Sequence, residues 1–284
     1  MRSLKKKSGS RAKRARLKRK PSVAGYFYPN DSGALRDMIK GMLDPHAEKE
    51  KAISVISPHA GYVYSGKVAG SVFSSVTLPE SYIILGPNHQ DVSTGISIMR
   101  QGVWETPLGD VSIDSTLADL IMKKSDILKE NAKSHSQEHS LEVQIPFIQY
   151  LKGNISFVPI SIAYFTTYDD LVELGKAIAE AIREYGQDVL IVASTDMSHY
   201  VSQEVAKEKD FLAIKKILDL DARGLYEIVE RENISMCGFK PTTATIIASN
   251  ELNAKKAELI KYQTSGDVSG DFLKVVGYAG IRII

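Results

Sequence analysis

The sequence predicts a three-layer α/β/α sandwich built on a mixed, largely parallel sheet. Three observations carry that expectation. Apolar runs bounded by Gly and Pro alternate with stretches of helical spacing from residue 21 to residue 284. Three of those runs share one design, a strand, then a breaker, then an imidazole: residues 53–56 before Pro58 and His59, residues 82–85 before Gly86, Pro87 and His89, and residues 189–193 before Thr195, Asp196 and His199. Finally, an alternating, turn-rich stretch around Trp104 and Pro107 and two apolar strands at the C-terminal end make the sheet mixed.

The chain has 284 residues, ample for a sizeable core, and its 43% apolar and 25% charged content is that of a globular protein. The formal net charge of +2 hides a segregation. Residues 1–20 hold eleven Lys and Arg and no acid, leaving 25 basic against 34 acidic side chains in the remainder, a formal −9. A single cysteine, Cys237, excludes an internal disulfide and fits a reducing compartment. No apolar run approaches the ~18 residues of a membrane span, and no apolar h-region follows the basic start. A cytoplasmic protein with no membrane association is expected.

Residues 1–20 are too charged to fold and read as a disordered basic tail, with a single domain over 21–284. The tail is a solvated extension or, alternatively, a nucleic-acid contact. A helix is expected over 32–43 with Asp31 or Ser32 as cap, and another over 66–75 after the first strand. Helices are expected over 115–124 and over 137–151, the latter interrupted by Pro146. Pro159 suggests that the strand over 155–163 lies near an edge or a bulge. Leu171, Leu174, Ile178 and Ile182 share one face of a helix over 169–184. Two helices fill 203–232, another starts near Pro241, and strands over 257–263 and 272–283 close the chain.

A strand-end histidine taken alone is more often a surface or packing residue than a ligand. Three such ends are harder to dismiss, because an α/β sheet gathers the carboxyl ends of neighbouring strands. Cys237 is either a small buried hydrophobe or a thiolate favoured by the N-terminus of the helix that follows. Two imidazoles and one thiolate would form a three-ligand site suited to Cu(I), Fe(II) or Zn. HSQEHSLEVQIPF, residues 135–147, offers two readings. His135, Glu138 and His139 fit the H-x-x-E-H inverzincin pattern of a zinc peptidase. Alternatively, His139 and Glu142 share a helix face turned toward the strand-end pocket.

These strings together resemble the Memo family, named for a mediator of receptor-driven cell motility, whose prokaryotic members are called protein B of the AmmeMemoRadiSam system. The matching strings are VAGYFYP, SPHAGYVYSG, ILGPNH, W-x-T-P-L-G at 104–109, EHSLEVQ-x-PF, STDMSHY and MCG-x-x-P, spread over 21–284. The resemblance implies a fold similar to class III extradiol dioxygenases. It implies metal ligands at His59, His89 and Cys237, with Asp196 and His199 lining the same pocket. The dioxygenases use a carboxylate where this sequence offers Cys237, so ring cleavage is not implied.

The reading is a metal-binding redox protein of oxidase or oxygenase type, holding Fe(II) or Cu, with Zn as the other metal these donors suit. His199 is expected as acid/base or auxiliary ligand, oriented by Asp196, and His139 and Glu142 stand behind the metal or face the substrate. The alternatives are a non-catalytic module that binds a peptide or protein in the same pocket, with radical-SAM and Amme-type partners implied by the system's name, and the zinc peptidase. A small-molecule or peptide ligand is expected in the strand-end pocket.

Overall fold

The computed structural model describes residues 17–90 and 94–284. Among the described residues twelve strands form one sheet: β1 (Lys18–Arg19), β2 (Ser54–Ser57), β3 (Ser81–Pro87), β4 (Ile96–Ile98), β5 (Val103–Thr106), β6 (Gly109–Ile113), β7 (Leu128–Glu130), β8 (Ser156–Ile162), β9 (Val189–Ser194), β10 (His199–Val201), β11 (Ala257–Thr264) and β12 (Val275–Ile283). Its centre is the parallel set β8-β3-β9-β2, and β12 continues it antiparallel to β2. The β5–β6 hairpin is the antiparallel excursion expected around Trp104. No helix among the described residues is long and apolar enough to cross a membrane.

Successive residues of the central strands point to opposite faces and build two cores. Ile83, Leu85, Val158, Ile160, Ile191 and Ala193 face one layer of helices, α3 (Ser115–Lys124), α5 (Tyr168–Tyr185), α6 (Gln203–Leu218), α7 (Ala222–Arg231) and α8 (Phe239–Glu251). Tyr82, Ile84, Phe157, Leu190 and Val192 face the other, α1 (Ser32–Lys40), α2 (Tyr62–Ser74) and α4 (Ile145–Lys152). The helix starts follow their caps. Asp31 accepts the Ala34 N–H at 2.8 Å, and Thr167 and Asp170 form a capping box on α5.

Three local expectations change. Residues 137–141 are not helical; a 3₁₀ turn at Glu142–Gln144 leads into α4, and Pro146 lies in its first turn, where its missing N–H has no partner to lose. The helix after the first strand starts earlier, at Tyr62, with Gly61 as its cap. Pro159 sits inside the sheet, paired in register with Ile84. On its other side β6 pairs Ser156 and Phe157 while β4 pairs Ile160 to Ile162, so Pro159 falls in the gap between two ladders.

The ordered chain also begins before Pro21. β1 pairs parallel to β5, and Arg19 is 5% exposed. Its guanidinium lies over the Trp104 ring at 4.1 Å, pairs with the buried Glu142 carboxylate, and donates to the carbonyls of His135 (3.1 Å) and Glu138 (2.6 Å). Glu142 also accepts the main-chain N–H groups of Ser22 and Val23 and the Tyr28 hydroxyl. A charge with so many partners repays its desolvation. The first 16 residues, most of the expected tail, lie outside the described residues.

Removing one member of such a pair strands the other. Arg19→Met should destabilise the fold by about 3–5 kcal/mol in urea, and Arg19→Met/Glu142→Leu should recover most of it. A chain cut before Pro21 should melt lower than one cut before Leu17; equal melting would contradict the role given to Arg19. A second prediction concerns acid. Burial pushes the Glu142 carboxyl up, but Arg19, Tyr28 and Ser22 more than offset it and hold it below its ordinary value. Its contribution is therefore complete above the unfolded value of about 4.3 and fades as pH falls through the lower folded one. Glu142→Gln should be less stable than wild type at pH 7, and the difference should shrink as pH drops below about 4.

Candidate metal centre

Three imidazoles meet just beyond the carboxyl ends of β2 and β3. His59 follows β2 by two residues, His89 follows β3 by two, and His139 comes from the loop ahead of the 3₁₀ turn. One ligand atom from each lies within 4.8 Å of the other two. The rings of His89 and His139 stack at 4.7 Å, and His59 stands edge-on to both, at 5.4 and 5.6 Å. Phe27 backs His139 edge-on at 5.0 Å.

The hydrogen bonds behind the rings decide which nitrogens face inward. Ser194 Oγ donates to the Ser140 carbonyl (2.6 Å) and accepts from the Gln144 amide (2.8 Å). With its own proton committed, it accepts from His59 Nδ1 at 3.0 Å, which leaves Nε2 as the unprotonated nitrogen. Glu138 does the same for His89, accepting from Nδ1 at 2.9 Å and from the main-chain N–H at 2.6 Å. Metal-binding histidines are held in this way, with one ring nitrogen on a protein acceptor and the other on the ion. These residues fit a metal ion.

Burial first, then the neighbouring His89 and His139, holds His59 well below the usual imidazole value. Burial also lowers His139, against the pull of Glu138. Burial pushes His89 down as well, but the Glu138 carboxylate more than offsets it and the net shift is upward. Glu138, which burial alone would raise, is brought down to about 2 by its bonds from His89 and the Ser140 N–H.

Asp196, two residues past β9, is buried and accepts the His59 main-chain N–H at 2.8 Å. Its other oxygen stands 3.9 Å from His59 Nε2. Burial raises its carboxyl. His199 Nδ1 is 2.8 Å from the Ser235 carbonyl, and the ring lies close enough for its charge to bear on both Asp196 and His59. Cys237 Sγ lies 3.3 Å from His59 Nε2 and accepts the Asp196 N–H at 3.3 Å. Only glycine fits after it, since a Cβ at Gly238 would meet the Ser194 carbonyl at 2.3 Å. The thiol is not favoured as thiolate by the start of α8; burial, with Asp196 beside it, pushes it up.

Of the residues singled out in the sequence, His59, His89, His139, Asp196, His199 and Cys237 are gathered here. Glu142 is not. It faces the N-terminal segment, because 139–142 does not form the helix on which His139 and Glu142 would share a face. The peptidase reading fails for the same reason. His135 is fully buried, 6.2 Å from the Trp104 ring, and burial and Arg19 lower it to about 3. It takes no part in the metal-capable group. Glu138 has a role the pocket reading missed, as the orienter of His89. A carboxylate beside a histidine in an irregular segment was the available signal.

The model of the family described as Memo-like protein matches residues 19–282. A MEMO1 family protein of Pyrobaculum arsenaticum is 45% identical over 275 residues, 93% of this chain and 98% of that one. One of Methanothermobacter thermautotrophicus is 42% identical, covering 92% and 98%, and one of Methanocaldococcus jannaschii is 40% identical, covering 92% and 97%. A solved structure of an uncharacterized Escherichia coli protein overlaps at a TM-score of 0.48 and 14% identity, over 81% of this chain and 99% of that one. With a family match over nearly the whole described chain, the protein belongs to the Memo family.

Proposed function

We propose that the chain is a metal-dependent oxidoreductase with Fe(II) or Cu at the histidine cluster. The observation behind the reading is the convergence of three imidazoles, two of them with their second ring nitrogen already committed to Ser194 and Glu138. The Cys237 sulfur beside His59 weighs toward a redox-active or soft ion. When bound, the metal would supply electron transfer to or from a substrate at the positions the protein leaves open.

The chain's own groups have separable tasks. His59, His89 and His139 would hold the ion, and Cys237 would offer a sulfur on the side of His59. Glu138 fixes the ring of His89 from behind, and Ser194 that of His59. Asp196 ties the His59 main chain to the end of β9, which keeps the two strand ends at one spacing. His199, anchored through Nδ1, presents Nε2 as the atom that takes or gives a proton.

Protein isolated without oxygen or added metal should carry Fe or Cu by elemental analysis, and a folded His59→Ala/His139→Ala variant should carry none. Full metal retention in that variant would sink the site, and Zn alone in the wild type would sink the redox reading. Glu138→Gln, which keeps the size but not the charge behind His89, should weaken metal affinity about 10–100-fold at unchanged secondary structure.

A further inference from the structure

Beside the histidine cluster lies a cavity of about 150 Å³. Ile162, Phe239 and Pro241 give it apolar walls, and His89, Cys237 and Lys240 also line it; the Lys240 ammonium donates to the carbonyl of Tyr164, another lining residue. A cavity of about this volume with apolar walls accommodates a molecule the size of benzene. Lys240 is the unusual member. It is 7% exposed, yet among the described residues its ammonium pairs with no carboxylate. It donates to the carbonyls of Tyr164 and Thr166, the latter at 2.5 Å, and stands 5.5 and 5.7 Å from the rings of Phe239 and Tyr226. Glu230 and Asp170 act on it only from a distance, and burial lowers its affinity for a proton.

An ammonium has three donors, and the two carbonyls occupy two of them. A buried cation without a counter-ion is costly, and an anion arriving at the third donor would relieve that cost. We propose that this cavity is a subsite for a small organic anion, a carboxylate on an apolar body of benzene size. Lys240 receives the carboxylate, and the body lies along Ile162, Phe239 and Pro241 next to His89. The inference rests on the metal-centre reading only in taking His89 as the reacting side of the cavity. Tyr164, which lines the cavity, and Thr166 belong to the loop between β8 and α5, so Lys240 also ties that loop to the cavity wall.

Benzoate and its neutral isostere benzamide serve as probes, titrated calorimetrically into the protein as isolated and after EDTA treatment. Benzoate is expected to bind saturably and about tenfold or more tightly than benzamide, the difference a charged hydrogen bond makes. Its chemical-shift changes should concentrate on the Ile162 methyls and the Phe239 ring. Lys240→Met, with its melting measured in parallel, should lose the preference. Equal binding of the two probes, no benzoate binding, or shifts elsewhere on the protein would overturn the proposal. The heat of binding does not require metal, so failure here leaves the metal centre standing, and a metal-free protein that prefers benzoate leaves this subsite standing.

Discussion

The register of the central parallel strands is the constraint on which the site depends. Ser57 of β2 lies opposite Ser194 of β9, and Leu85 of β3 opposite Ala193 of the same strand. The three strands therefore end almost level. Whatever the chain places two residues beyond each end, His59, Asp196 and His89, arrives at one edge of the sheet. A slip of one residue would turn every side chain of a strand to the opposite face, and the two apolar cores forbid it. The packing of Ile83, Ile191 and their neighbours thus sets the spacing of groups that lie outside the core altogether.

A second layer of order comes from behind the histidines. Glu138 and Ser194 hold ring nitrogens, while Arg19 holds the carbonyl of Glu138 and the carboxylate of Glu142. The N-terminal segment is thereby part of the support of the site. Phe27 against His139 and the Tyr28 hydroxyl on Glu142 extend the same connection. Arg19 rests on Trp104, so the β5–β6 hairpin is drawn into it as well. In such a buried polar network each member stays favourable because the others satisfy it.

The strand-end histidines and Asp196 were legible because the rule that reveals them is local: an apolar run, a breaker, then a polar group. The layer architecture was legible for the same reason, through the alternation of periods along the chain. Arg19 was not. Its residue type matched the basic stretch around it, and only a carboxylate 123 residues away makes it a buried anchor. Glu138 likewise acts on a histidine 49 residues distant. Residues 137–141 carry helical spacing without forming a helix, because Pro146 begins α4 instead of interrupting a longer one, and Glu142 turns to Arg19. The family resemblance supplied the ligand candidates, but not the third imidazole, which depends on how an irregular loop is held.

The metal-capable group and the Lys240 cavity share His89, and Cys237, which lies against His59, lines the cavity as well, so ion and ligand would meet across these side chains. The central claim is that imidazoles from two strand ends and one loop hold the ion together. X-ray absorption at the edge of the metal bound to anaerobically prepared protein tests it most directly. The expected result is a nitrogen shell with the outer scattering of three imidazoles, with one sulfur permitted from Cys237. A first shell of oxygen alone, without imidazole scattering, would contradict it.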